Sequence, residues 1–522
     1  MSQNGEWKVE YYSKVVGIHS ALLKTGKVIL FSYPSKHKNN HHQRDANDDH
    51  PHSIFGSASH KGAYQIIDTD NWIGEQPAEI KLNVFCGGHC FLDSGDLFVS
   101  GGQYQAVHNP ILLINPPSIC THIFEPDENK WNLRHRSFLA RWYPTCLTLP
   151  NGNILIISGA AGIYGLKKIG PISLVNKRLE VYDTENKLKK LQNLPFKIGL
   201  YPFMFILPKH KVFVHSERVS RIYDISTNKW EKSSSNSNTI LELETNYSYS
   251  RTNPVQGTSV ILPFKTNSKT AKIMLIGGGG ESEDPDIETP ATDTCEIIDF
   301  DEQEPSWKYL PKMNFKRVMP DAVLLPNKKI LVLNGTKKGK SDAGSEPVMT
   351  PELFDPDDQT WTKLTDMNVP RFYHSTALLL YDGRVITTGT DKEWNVGREQ
   401  DEYRIDVFVP PYLTTTNNSS LTRPNIQNVK EEVSYGEEIV VETNLAEEIT
   451  NVTIVKPSSV THSLNADQRC IELEIINVRN GSLNVKMPND SCIAPPGYYT
   501  LFILNKYKTP SKSKYIRLQR IR

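Results

Sequence analysis

Short runs of apolar residues recur along this chain in pairs. Each pair is divided by a turn rich in Gly, Asp, Asn or Lys, and several end in a glycine pair. The copies fall at 18–30, 88–99, 144–159, 201–216, 257–278, 319–335 and 374–389. Apolar runs of strand length bounded by turn residues predict β-strands joined as hairpins. After most copies comes a third apolar run ending in Asp, followed by a Trp: Tyr223-Asp224 with Trp230, Ile298-Asp299 with Trp307, Phe354-Asp355 with Trp361. Trp72 and Trp131 fit the same slot, and the third copy uses Leu188 or Leu191 there. The copies lie roughly 55–70 residues apart, above the period of about 40–50 usual for four-stranded blades.

Seven such units predict an all-β fold led by a seven-bladed β-propeller of kelch type over residues 1–413. The last unit has no Trp after its third run, near 405–409. Trp7 supplies one, so the N-terminal segment is expected to close the ring as the outer strand of blade seven, leaving no open sheet edge. A polar stretch follows at 414–422 and reads as a linker. Residues 423–522 alternate apolar and polar in strand-like runs at 438–443, 451–455 and 498–504, which predicts a small immunoglobulin-like β-sandwich.

Composition narrows the functional classes. The 59 basic and 59 acidic residues balance, so no global field favours nucleic acid. No apolar run approaches a membrane span. The N-terminus has neither a basic start nor an apolar stretch, so no signal peptide is visible there. The seven scattered cysteines do not form a disulfide framework. The His-rich tract 35–52 reads as a polar loop between two strands, with metal binding as the alternative.

The repeat register sorts the reactive side chains. Residues just before the first strand of each blade converge near the ring axis on one face. Blade two places Phe85-Cys86-Gly87-Gly88 there, blade three Arg141-Trp142-Tyr143-Pro144, and blade seven Tyr373-His374. Long loops, at 33–62, 160–176, 279–294 and 337–348, open on the same face, the usual way a rigid scaffold builds a pocket. Two tryptophans, Trp142 and Trp394, are not needed for blade packing and lie near these residues in the sequence.

These elements, with Thr461-His462-Ser463-Leu464-Asn465-Ala466-Asp467-Gln468-Arg469 in the C-terminal region, resemble the copper radical oxidases: galactose oxidase and, more closely, glyoxal oxidase. The resemblance covers nearly the whole chain. It implies one copper ion held by Tyr143, Tyr373, His374 and His462, the last from the C-terminal, E-set-like domain. It implies a thioether between Cys86 and Tyr143 that carries a tyrosyl radical. Two nitrogens and two phenol oxygens suit Cu(II). Tyr373 is then the base for a substrate hydroxyl, and dioxygen leaves as hydrogen peroxide. Cys86, Tyr143 and Tyr373 are thus the expected catalytic residues, surrounded by Phe85, Trp142, Ala161, Tyr164 and Trp394. In galactose oxidase a Trp stacks on the cross-linked Tyr. That slot falls here at Ala161, with Tyr164 nearby. Asn253 stands where glyoxal oxidases often have Tyr. Both departures argue for small aldehydes or primary alcohols over a galactose-type sugar. The expected partners are a substrate of that size and dioxygen, acting on a monomer, and the resemblance suggests an extracellular setting. The alternative is a non-catalytic kelch ring that serves as a binding scaffold.

Overall fold

Each apolar pair folds as the two inner strands of one blade. The structure is a computed structural model that describes residues 4–33, 61–102, 118–137, 139–161, 174–183, 185, 187–280, 282, 284–391, 401–414 and 423–520. Tyr164, Trp394, the His-rich tract 35–52 and the linker residues 415–422 lie outside them.

The inner strands are His19–Leu22, Gly88–Phe91, Trp142–Thr148, Phe203–Leu207, Thr258–Ile261, Asp321–Leu324 and Ser375–Leu379. They are almost wholly buried, because each blade packs its inner strands between two neighbours. Four strands per blade run antiparallel from axis to rim. The rim tryptophans pack where their spacing predicted: Trp131 on Phe124, Trp230 on Tyr223 and Trp361 on Phe354. The N-terminal strand Glu6–Tyr12 pairs with Arg404–Val409, and Trp7 faces Phe408. The ring therefore closes as the sequence predicted.

A buried arginine braces several blades. Arg141, Arg251 and Arg317 each precede an inner strand and reach a glutamate on the third strand of their own blade. The ion pairs are Arg141–Glu180 at 2.7 Å, Arg251–Glu296 at 2.8 Å and Arg317–Glu352 at 3.2 Å. The same guanidinium groups donate to main-chain carbonyls, such as Arg251 to Gly277 and Arg317 to Asn334. In blade seven, Arg371 donates to the carbonyls of Gly389, Thr387 and Arg404. Buried charges persist when they are paired and hydrogen-bonded, and the three Arg–Glu pairs meet both conditions.

The C-terminal strands form a two-layer sandwich in which the long strand Cys470–Arg479 belongs to both layers. Two crossings tie the sandwich to the ring. The insertion in the blade-five turn forms strand Phe264–Lys265, which pairs in parallel with Ile471–Glu472. In the other direction, Ser459–Thr461 of the sandwich enters the ring and pairs with His19–Ala21, adding a strand inside blade one. The segment beyond it is fastened to further blades. Gln256 and Thr258 donate to the carbonyls of His462 and Ser463. Asp467 accepts the amide and hydroxyl of Thr148, and Arg469 donates to Ile206 O. The C-terminal domain thereby plugs the ring axis, which strand periodicity alone did not reveal.

Candidate metal centre

The residue at the head of the inner strand is the device that aims side chains at the axis. Cys86, Tyr143, Tyr201, Met319 and His374 all have positive φ, between 45° and 65°. This left-handed backbone is uncommon for non-glycine residues and costs energy that surrounding bonds must offset. Here those bonds run from blade to blade: Tyr143 N donates to Cys86 O, Tyr201 N to Tyr143 O, and Met319 N to Gln256 O. The ring of main-chain bonds holds the strained turns in place and points their side chains into one pit. His462, on the plug, also has positive φ, at 49°. Gly88 is needed at the adjacent position, since a Cβ there would lie 2.3 Å from Pro144 O.

The residues singled out in the sequence meet in this pit. The Tyr143 and Tyr373 hydroxyls are 2.5 Å apart. Cys86 Sγ lies 3.6 Å from His462 Nε2. The sulfur, one ring nitrogen of His374 and one of His462 lie within 4.8 Å of one another, the single such His/Cys/Asp/Glu group among the described residues. All five side chains are buried.

Hydrogen bonds orient both imidazoles. The Thr461 hydroxyl donates to Ile18 O at 3.0 Å, so toward the adjacent His462 Nδ1 it acts as acceptor. His462 therefore carries its proton on Nδ1 and presents the Nε2 lone pair to the pit. His374 Nδ1 lies 2.7 Å from Asp391 Oδ2, which also accepts the Tyr33 hydroxyl at 3.4 Å. A carboxylate behind a histidine is the arrangement that orients metal-ligating rings.

Burial governs the ionisation of the pit. Loss of hydration pushes the Cys86 thiol well up, and contacts with Tyr143 and Trp142 partly oppose this. Both phenols are pushed well up by burial, Tyr143 further by Cys86 and Tyr373, and Tyr373 further by Asp342 and Cys86. Burial also lowers His462, with His374, His19 and His89 adding to the effect, so its ring is neutral. Asp342, at the tip of the hairpin Thr336–Lys340/Ala343–Pro347, is raised to about 6 by burial, with His374 opposing and Asp391 adding. A neutral imidazole is what a cation needs, and a divalent cation would reverse the penalty on the phenols. The donor set of two imidazole nitrogens and two phenol oxygens thus fits copper.

The surroundings differ in part from expectation. Phe85 packs edge-on against His374, 5.4 Å between centroids. Trp142 stacks on Tyr143 at 4.1 Å and 19°, and Tyr201 stacks on it at 4.6 Å and 21°. Aromatic cover for Tyr143 therefore comes from blades three and four. Ala161 lies one residue beyond Ala160, which faces Trp142 across the strand pair. Tyr201 was missed from the sequence, although Tyr201-Pro202 repeats Tyr143-Pro144 at the same register. Asn253 donates to Ser341 Oγ and Gln256 Oε1, joining the hairpin tip to the residue that anchors His462.

A seven-bladed ring plugged by an E-set sandwich, with phenols, imidazoles and a thiol on the axis, defines the class of copper radical oxidases. The chain matches the family model for the glyoxal oxidase N-terminus over residues 18–412 and that for the galactose oxidase-like early set domain over 423–518. It belongs to the glyoxal oxidase family. It is 28% identical over 503 residues to the aldehyde oxidase GLOX1 of Arabidopsis thaliana, spanning 90% of this chain and 77% of that one. It is 28% identical over 480 residues to the aldehyde oxidase GLOX of Vitis pseudoreticulata, spanning 87% and 86%. A fungal alcohol oxidase of the AA5 family, solved in complex with copper, shares the fold with a TM-score of 0.76 over 99% of both chains at 22% identity. By family the protein is an oxidase. No helix of the described residues is long and apolar enough to cross a membrane.

Asp391→Ala tests the orienting contact. Loss of the carboxylate behind His374 is expected to weaken copper binding by about 10–100-fold. Competition against a chelator of known affinity reads this directly.

Proposed function

We propose that the protein is a copper-dependent oxidase of small primary alcohols or hydrated aldehydes that reduces dioxygen to hydrogen peroxide. The observation that carries this reading is the convergence of Cys86, Tyr143, Tyr373, His374 and His462 in one buried pit. A binding scaffold has no use for that set. In this reading residues 1–413 supply four of the five and the C-terminal domain, 423–522, supplies His462.

Tyr143, Tyr373, His374 and His462 would hold the metal. When bound, copper supplies one-electron redox chemistry and positive charge. Tyr143, joined to Cys86 through sulfur, would carry the radical, and its role would be to take hydrogen from the carbon bearing the hydroxyl. Tyr373 takes the hydroxyl proton. Trp142 and Tyr201 cover the Tyr143 ring and keep water from it. An alcohol RCH2OH with O2 gives RCHO and H2O2, and a hydrated aldehyde RCH(OH)2 gives RCOOH and H2O2. The 2.5 Å contact of the two phenol hydroxyls supports this pairing of roles, because both act on one substrate CH–OH group.

The test is a peroxide-coupled screen of the copper-loaded protein over methylglyoxal-type aldehydes, hydroxyketones, simple alcohols and galactose. Peroxide release is expected with the small substrates and to be lost on chelation. Absence of peroxide from every substrate, with copper bound, overturns the reading.

A further inference from the structure

Beneath Cys86 lie two histidines that the proposed chemistry does not use. His19 heads the inner strand of blade one and is fully buried, and His89 is in the inner strand of blade two, 7% exposed. Their bonds form a directed chain. The Cys86 amide donates to His19 Nε2 at 3.0 Å. A peptide N–H can only donate, so His19 Nε2 is the acceptor and its proton is on Nδ1. His19 Nδ1 lies 3.1 Å from His89 Nε2, which must then accept. His89 in turn carries its proton on Nδ1, next to Ser459 Oγ. Burial drives both rings far below the usual imidazole range, His89 to about 3, so each holds the single proton this direction requires. Phe31 clamps the pair, stacked on His19 at 4.7 Å and edge-on to His89 at 5.2 Å.

The chain ends on the strand that leads into His462. Ser459 and Thr461 pair with Ala21 and His19, and His462 returns to Cys86 Sγ at 3.6 Å. One closed circuit of hydrogen bonds and main chain therefore sets both the strained Cys86 turn and the imidazole beside its sulfur. Buried imidazoles cost hydration energy unless their bonds are made, and here they are spent on a left-handed cysteine.

We propose that His19 and His89 are positioning residues for cofactor formation, holding the Cys86 main chain at the angle from which its sulfur meets the Tyr143 ring. This rests on the copper oxidase reading above. In the step they serve, a C–S bond forms between Cys86 Sγ and the ring carbon beside the phenol oxygen. The S–H and that C–H bond break, and two protons and two electrons pass to dioxygen, giving hydrogen peroxide.

The experiment follows intact mass with time after copper is added aerobically to the full chain. The wild type is expected to lose two hydrogens. His19→Phe removes the acceptor of the Cys86 amide and is expected to slow that loss by about ten- to a hundredfold, the scale of a small misplacement of reacting groups. His19→Gln keeps an acceptor at the Nε2 position and is expected to restore most of the rate. His89→Phe leaves the Cys86 acceptor in place but unsupported, and falls between. Rates are compared per folded molecule, with thermal unfolding of each variant as control, because lost packing alone lowers Tm without separating Phe from Gln. Equal rates for wild type and His19→Phe overturn the relay while leaving the oxidase reading intact. A wild type that binds copper in air and keeps both hydrogens overturns both.

Discussion

Cys86→Gly is expected to abolish the two-hydrogen mass loss and lower kcat by about a thousandfold or more, the scale of losing a group that acts on the substrate itself. Glycine is the informative replacement, because Cys86 sits at φ 61°, a conformation glycine adopts without steric cost. The bonds that define the turn use only main-chain atoms of Cys86: its N–H to His19 Nε2, and Tyr143 N to its carbonyl. They survive the substitution. The four proposed ligands are untouched, so copper affinity should change less than tenfold or so. A variant that binds copper, melts near the wild-type temperature and yields no peroxide isolates the sulfur as the missing part. Full activity in this variant sinks the radical reading and leaves a simpler copper site.

Glu180→Ala is expected to destabilise the protein by about 3–5 kcal/mol, the cost of leaving a buried charge unpaired. Arg141 is 1% exposed, with Glu180 at 2.7 Å. Ser137 donates to both oxygens of the same carboxylate. Burial already lowers the guanidinium, and Glu180 is the main group opposing this. Its remaining partners are the carbonyls of Ser158 and Arg178. Adding Arg141→Met to Glu180→Ala should recover more than half of the loss, because an apolar replacement of both partners can be nearly neutral. Urea unfolding of the two singles and the double measures the coupling. Arg141 stands two residues before Tyr143, so the single variant should also slow thioether formation, whereas a distant core lesion of equal cost should not.

The architecture was legible because propeller blades write themselves as local pattern. Apolar pairs, turn residues and rim tryptophans are short-range signals, and Trp7 supplied the strand missing from blade seven. The site followed from register: once Cys86, Tyr143 and Tyr373-His374 occupy equivalent places in different blades, the ring brings them together. Much of what was not legible depends on pairing across long sequence distance. Nothing in the periodicity of 459–461 says that it leaves its own sandwich to pair with 19–21. The histidines of the relay look like ordinary strand residues until Ser459 arrives beside them. The Arg–Glu braces were visible only as scattered charges in apolar runs. The slot that holds an aromatic in galactose oxidase falls at Ala161, and Tyr164 near it lies outside the described residues; Trp142, singled out in the sequence, and Tyr201 of the next blade, which was not, stack on Tyr143.

The pairing of Glu6–Tyr12 with Arg404–Val409 has a consequence in time. At roughly 5–20 residues per second, some 400 residues of synthesis separate the two strands by about 20–80 s. Throughout that interval Glu6–Tyr12 lacks the strand it pairs with and presents an open edge. Its sequence, EWKVEYY, suits the wait. Glu6, Lys8 and Glu10 alternate along one side, and charges so placed discourage pairing with a foreign strand. The same three side chains stay at the rim after closure, where the finished ring makes little use of them. Their charge is most useful during the seconds before the circle is complete.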